Sequence, residues 1–311
     1  MALAWLLLVP RPVAAWGPGT HVALGEAVLS ALYLLPPAVR ELLERFPIHF
    51  LYGSVAADIS FAKKYAPEGR HCHDWRVGEE IFETARNDDL RATGLGYLAH
   101  LAADTIAHNY FVPRRLLLTS SSRALGHTYW EHRMDVHVGE DYLGKARRLV
   151  MDNDHTEADA LFDEVLSRTL FSFRTNRRIF RGMIRFQDND RWKLVFDRVL
   201  RNSRWDLEEE LVDRYLALSF DYVVDYLIGR SESRSAGLDP VGEMNLQLTK
   251  RLRHRGLAAG GVEDPGIIQE MANDFFPLPE HPLVYWPQVE APRIRGLLAD
   301  PGREPGPLAS R

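Results

Sequence analysis

Two short segments near the middle of the chain constrain the fold most. His100, Asp104 and His108 are spaced four residues apart, and His127 and Glu131 repeat that spacing soon after. On a helix, residues four apart project from one side. Four helical residues turn by about 400°, so each step drifts by only ~40°. The same step climbs ~6 Å, which puts His100 and His108 ~12 Å apart along the axis. Zinc–nitrogen bonds are about 2.0–2.1 Å long, so the two histidines are badly placed to share one ion. Asp104, midway between them, has a carboxylate oxygen to offer each of two metals. Five ligand-type residues within 32 positions, interleaved with small alanines, point to a multinuclear metal site.

The 311 residues hold one large domain or two smaller ones, with ample material for a core. The formal charge of −5 lacks the basic footprint of nucleic-acid binders, so no stable nucleic-acid partner is expected. Cys72 is the only cysteine, which excludes an intrachain disulfide and leaves the redox compartment open.

The N-terminus reads as an export signal. Residues 2–9 form a short apolar run, Arg11 and Pro12 break it, and Val13 and Ala15 occupy the −3 and −1 positions of a cut before Trp16. The run is too short to span a bilayer, which takes ~20 residues. It also lacks a Lys or Arg ahead of it, a departure from the usual signal layout. Residues 1–15 are therefore expected to be a signal peptide, and the mature protein to be periplasmic or secreted.

Beyond the cut the pattern is helical. Residues 22–35 and 38–46 are apolar at helical spacing, with Pro36 and Pro37 between them as a break. Residues 77–87, 90–111 and 126–150 continue in the same way, and residues 157–229 add further amphipathic helices. Leu211, Tyr215, Leu218, Tyr222, Val223 and Tyr226 share one helical face. No stretch sustains the alternation of a half-buried strand, so an all-α fold is expected. From Ser231 the chain loosens into connectors around a basic segment, residues 250–255. Residues 291–311, rich in Pro, Gly and Arg, read as a disordered tail.

Other ligand candidates precede the central pair. Trp16 at a new N-terminus has a free α-amine, which a metal readily deprotonates, and its carbonyl closes a five-membered chelate. Its alternative is a tryptophan packed into the core. His21 lies five residues on. Asp58 ends a run of small residues where a carboxylate comes close to an ion, and taken alone it reads as a helix N-cap. His71, Cys72 and His73 follow, one histidine as the ligand and the other outside the site. In an alternating chain Cys72 points away from them as an inert thiol.

Taken in order, Trp16, His21, Asp58, His73, His100, Asp104, His108, His127 and Glu131 resemble the ligand series of the bacterial zinc-dependent phospholipase C family. The resemblance covers roughly residues 16–150. It implies an all-helical, three-zinc fold in which the mature N-terminal tryptophan is a ligand. By position, one zinc would take Asp58, His73, His100 and Asp104. A second would take His108, His127 and Glu131. A third would take the Trp16 amine and carbonyl, His21 and the other oxygen of Asp104. The family's best-known members have a longer gap before the residue matching His108. His73 rather than His71 is chosen because Trp75 follows it.

Such a cluster polarises a phosphoryl oxygen and generates hydroxide near neutral pH, which suits a phosphodiesterase acting on phospholipid, with Asp58 doubling as general base. Choline-preferring relatives carry an acidic residue and a tyrosine where this chain has Gly19 and Ile59, so a choline cage is not expected. Single-strand-specific zinc nucleases share the architecture and stand as the alternative enzyme. A secreted zinc-binding interaction protein without catalysis is the reading from another class. Residues 151–290 are expected to be a helical extension of the same domain or a second one. There Arg174, Arg177, Arg178, Arg181 and Arg185 alternate with Phe171, Phe173, Phe180, Ile184 and Phe186, a basic amphipathic pattern that fits either peripheral membrane contact or a core-packed helix.

Overall fold

A computed structural model describes residues 16–59, 70–119, 123–166, 173–187, 203, 205–278, 280 and 282–289. The expected signal segment and the tail at 291–311 lie outside them. Every regular element among the described residues is helical.

Prolines and polar caps set the helix starts. Helix α1 (Pro18–Ser30), α2 (Pro37–Arg45) and α3 (Pro47–Ala56) each open with proline, whose missing N–H costs nothing in the first turn. Pro36 is the N-cap of α2, so the Pro36–Pro37 pair is a helix boundary, as its chemistry requires. Helix α4 (Trp75–Thr84) starts where the Asp74 side chain accepts from Arg76 N–H. Helix α5 (Asp88–Ile106) starts where Asn87 accepts from Leu90 N–H, with Asp88 and Asp89 favourable in its first turn.

Helix α5 is the axis of the molecule, buried along nearly its whole length and packed by α3, α4 and α11 (Glu209–Gly229). Its contact with α3 is close because both helices have glycine there. A Cβ on Gly53 would lie 2.0 Å from the Thr93 carbonyl oxygen, and one on Gly96 would lie 2.0 Å from that of Phe50. Buried Tyr215, Leu218, Tyr222, Val223 and Tyr226 of α11 give it the apolar face read from its spacing, and Leu211 packs partly buried against the same core.

After α5 the chain makes a π-helical turn (Ala107–Phe111), then α6 (Val112–Thr119), α7 (Arg123–Val138), α8 (Glu140–Asp152) and α9 (Thr156–Val165). Residues 126–150 are not one helix. Gly139, at φ 117°, turns the chain between α7 and α8. Helix α10 (Phe173–Gln187) buries Phe173 and Phe180. Arg177 pairs with Asp159, and Arg181 donates to the Met151 carbonyl at 3.0 Å. These residues pack α10 on the body, while Arg178 is exposed. Phe171 and the side chains of Arg174, Ile184, Arg185 and Phe186 lie outside the described residues.

The region past Ser231 is more ordered than its composition suggests. Residues 250–255 fall inside α12 (Glu243–Ala258), which is followed by α13 (Pro265–Phe275). Leu252, Ile268, Ala272 and Phe276 join Leu117 of α6 in a satellite core. The buried Arg114 guanidinium donates to the Ala272 and Phe276 carbonyls at 2.9 and 3.0 Å, satisfying the end of α13. Among the described residues, no helix is long and apolar enough to cross a membrane.

Candidate metal centre

Asp104 sits three turns into the buried stretch of α5, fully enclosed, between two sets of imidazoles. One of its oxygens, Oδ1, lies 3.3 Å from His21 Nε2, and Oδ2 lies 3.2 Å from both His73 Nε2 and His100 Nε2. His73 Nε2 is also 3.4 Å from Asp58 Oδ1 and 3.1 Å from His100 Nε2. The elements that bring these together are distant in sequence: α1 carries His21, the 3-10 turn Ala57–Ile59 carries Asp58, and the segment before α4 carries His73.

Hydrogen bonding orients the rings. His100 Nδ1 donates to the Ser54 carbonyl at 2.8 Å, a contact made available by the Gly53–Gly96 approach, and its Nε2 is thereby left as a lone pair. That lone pair faces the Nε2 of His73 at 3.1 Å and Asp104 Oδ2 at 3.2 Å. Neither oxygen of Asp104 nor His21 Nε2 makes a hydrogen bond of normal geometry, although all are buried. Buried polar atoms in that condition are suited to hold an ion between them. Donors 2.0–2.1 Å from a tetrahedral zinc lie about 3.3 Å from one another, the separation seen here. The donor set fits zinc.

The charges agree. Burial opposes ionisation of Asp104, yet His100, with His21 and His73, holds its carboxyl well below the usual carboxylate range. Burial, reinforced by His100, lowers His21 against the pull of Asp104. The imidazole is thus held neutral, the form that binds metal.

A second group lies one turn beyond. The π-helical turn carries His108, which is buried, with its Nδ1 donating to the Pro240 carbonyl at 2.5 Å and its Nε2 without a hydrogen bond. π-Helical turns widen the backbone locally and recur at functional sites. The ring stands perpendicular to that of His127, centroids 5.3 Å apart, and His127 Nε2 is 3.1 Å from Glu131 Oε1 on α7. Burial pushes His108 down to about 3.

Trp16 is fully buried. Its indole donates to the Ala103 carbonyl at 3.0 Å and packs against Phe111 and Tyr215. The core reading of its side chain and the ligand reading of its backbone are therefore compatible. Asp58 lies in a 3-10 turn following α3, and the residues it would cap as a helix start lie outside the described residues. His73 is the buried histidine of its pair. The half-buried His71 accepts from the His73 N–H at 3.1 Å. Cys72 does not point away: its thiol lies 3.3 Å from His73 Nδ1, because the segment turns instead of alternating.

Sequence reasoning missed three contributors. The Ser54 and Pro240 carbonyls leave no side-chain signal, and Pro240 is 132 residues from His108. Asp135 was readable, since it continues the four-residue register of His127 and Glu131. It is buried, accepts from Thr20 N–H at 2.8 Å and the Thr20 hydroxyl at 2.6 Å, and burial pushes its carboxyl up to about 6.

An all-helical body around a buried cluster of histidines and carboxylates defines a metal-dependent protein of the helical zinc type. The chain belongs to the zinc-dependent phospholipase C family, whose model matches residues 20–177, just over half of its length. No curated protein and no solved structure matches it.

Proposed function

We propose that the chain is an exported zinc-dependent phosphodiesterase of the phospholipase C type that hydrolyses phospholipids, with residues 1–15 as its removable signal. The observation that carries this reading is Asp104, whose two oxygens face different histidine sets. Asp104 Oδ2, Asp58, His73 and His100 would hold one zinc, and His108, His127 and Glu131 a second. His21, Asp104 Oδ1 and the Trp16 amine and carbonyl would hold a third.

When bound, zinc supplies Lewis-acid polarisation of a phosphoryl oxygen and a water acidic enough to attack near neutral pH. Three carboxylates against three divalent ions leave the cluster at about +3, which favours an anionic phosphodiester. Asp58, whose Oδ1 lies 3.4 Å from His73 Nε2, would take up the proton of the attacking water. Ser54 and Pro240 hold His100 and His108 in the tautomer that presents Nε2. Both residues at the choline-cage positions are buried, Gly19 beside Leu143 and Asp135, and Ile59 in the apolar core. Neither supplies an acidic or aromatic wall.

The test is hydrolysis of phospholipid vesicles by purified protein, before and after chelation and after zinc is returned. Chelation should abolish turnover and zinc should restore it. His127→Ala or Glu131→Ala should cost more than the ~10–100-fold that loss of an outer-shell partner costs, with helical circular dichroism retained. Inert phospholipids with efficient cleavage of single-stranded DNA would replace this reading with the nuclease one. Zinc-loaded protein inert on both would leave a zinc-holding interaction protein.

A further inference from the structure

We propose that Asp135 is a positioning residue that fastens the N-terminal arm, and with it His21, onto the helix carrying His127 and Glu131. The inference rests on His21 being a zinc ligand, as read above.

Helix α1 begins without a side-chain cap of its own. The first amides of a helix need acceptors and present partial positive charge. Asp135 supplies both needs from α7. Its Oδ1 accepts from Thr20 N–H and the Thr20 hydroxyl, at 2.8 and 2.6 Å, and its Oδ2 accepts from Gly19 N–H at 3.3 Å. The carboxylate can approach only because residue 17 is glycine, where a Cβ would lie 2.0 Å from Oδ2.

His21 is the next residue after Thr20, and its Nε2 reaches 3.3 Å from Asp104 Oδ1. On the other side, Asp135 follows Glu131 and His127 in steps of four along one helix, drifting ~40° per step. One buried carboxylate thus ties the arm bearing a ligand of one group to the helix bearing two ligands of the other. It acts through Thr20 and Gly19.

The experiment measures stepwise zinc affinities of the purified full chain by competition with a zinc-binding dye. Asp135→Ala should weaken the most loosely held zinc by ~10–100-fold, the range for losing an outer-shell support, and leave the tightest zinc unchanged. Asp135→Asn should recover part of the loss, because its Oδ1 still accepts from Thr20. His21→Ala should lose the same zinc outright. Leu252→Ala, in the satellite core, serves as a stability control and should keep every affinity. Folded Asp135→Ala with wild-type affinities would overturn the proposal, as would an equal loss in Leu252→Ala. If Asp135→Ala does not fold, Thr20→Val and Gly17→Ala take its place, and unchanged affinities in both would overturn it. Full zinc content in His21→Ala would remove the ligand reading of His21 itself, whereas loss there with none in the Asp135 variants removes only the positioning role.

Discussion

The Trp16 indole donates to the carbonyl of Ala103, the residue directly before Asp104. This side-chain bond holds the N-terminal arm against α5 whether or not the backbone amine of Trp16 binds metal. The two roles are separable by experiment. A protein beginning at Trp16 should hold its full zinc complement. The same protein with one extra Gly ahead of Trp16 should keep its fold and lose affinity for one zinc, because an amide nitrogen has no comparable lone pair. Equal zinc content and equal turnover in the two forms would leave Trp16 as a core residue alone.

Asp104→Asn should remove more than one zinc per chain, since a single oxygen cannot face both histidine sets. Elemental analysis of the folded variant checks this. Loss of one ion or fewer would mean that Asp104 serves a single metal.

Head-group preference follows from Gly19 and Ile59. Turnover on phosphatidylcholine should stay within about tenfold of that on phosphatidylethanolamine or phosphatidylglycerol, since an exposed cation–aromatic contact contributes only ~0.5–1 kcal/mol and the cage residues are missing here altogether. A choline preference well beyond tenfold would place a cage elsewhere.

His155 should make the fold acid-sensitive. It is stacked on Tyr52 at 3.5 Å, and its Nε2 donates to the Leu149 carbonyl at 2.8 Å. Burial holds its pKa down at about 4 against the hydrogen bond to the Leu149 carbonyl, with Arg177 and His49 pushing the same way as burial and Asp154 opposing. The unfolded chain gains a proton near pH 6.5, while the folded one waits until about 4. The contribution is therefore complete above pH 6.5, declines as pH falls, and is gone below about 4. Its size is on the order of 3 kcal/mol. His155→Phe keeps the stack and should flatten this part of the profile, at a neutral-pH cost of about 1 kcal/mol for the lost hydrogen bond. Thermal melts of both proteins from pH 7 to 4 provide the check; parallel curves would exclude His155.

The helical character and the four-residue spacing of the candidate ligands could be read from the chain because both are local periodicities. The break at Pro36–Pro37 and the apolar face of α11 were legible for the same reason. Gly139 was harder to read as a turn, since a lone glycine does not reveal its φ. The helix through the basic run at 250–255 was not legible, because Leu252 and Thr249 bury against partners on α6 and α13. His73 was separable from His71 only by the weak cue of Trp75. The structure separates them by burial, and Tyr97 pins the intervening Cys72 carbonyl.

Pro240 lies more than sixty residues after the family match ends. A fragment cut at residue 177 would still contain His108, His127 and Glu131, and it would look complete by inventory. It would lack the carbonyl that fixes the His108 tautomer, together with α11 against the back of α5. An excised fragment of this kind should hold its second metal loosely even where its helices form, so minimal boundaries drawn from sequence similarity alone would cut through the coordination geometry.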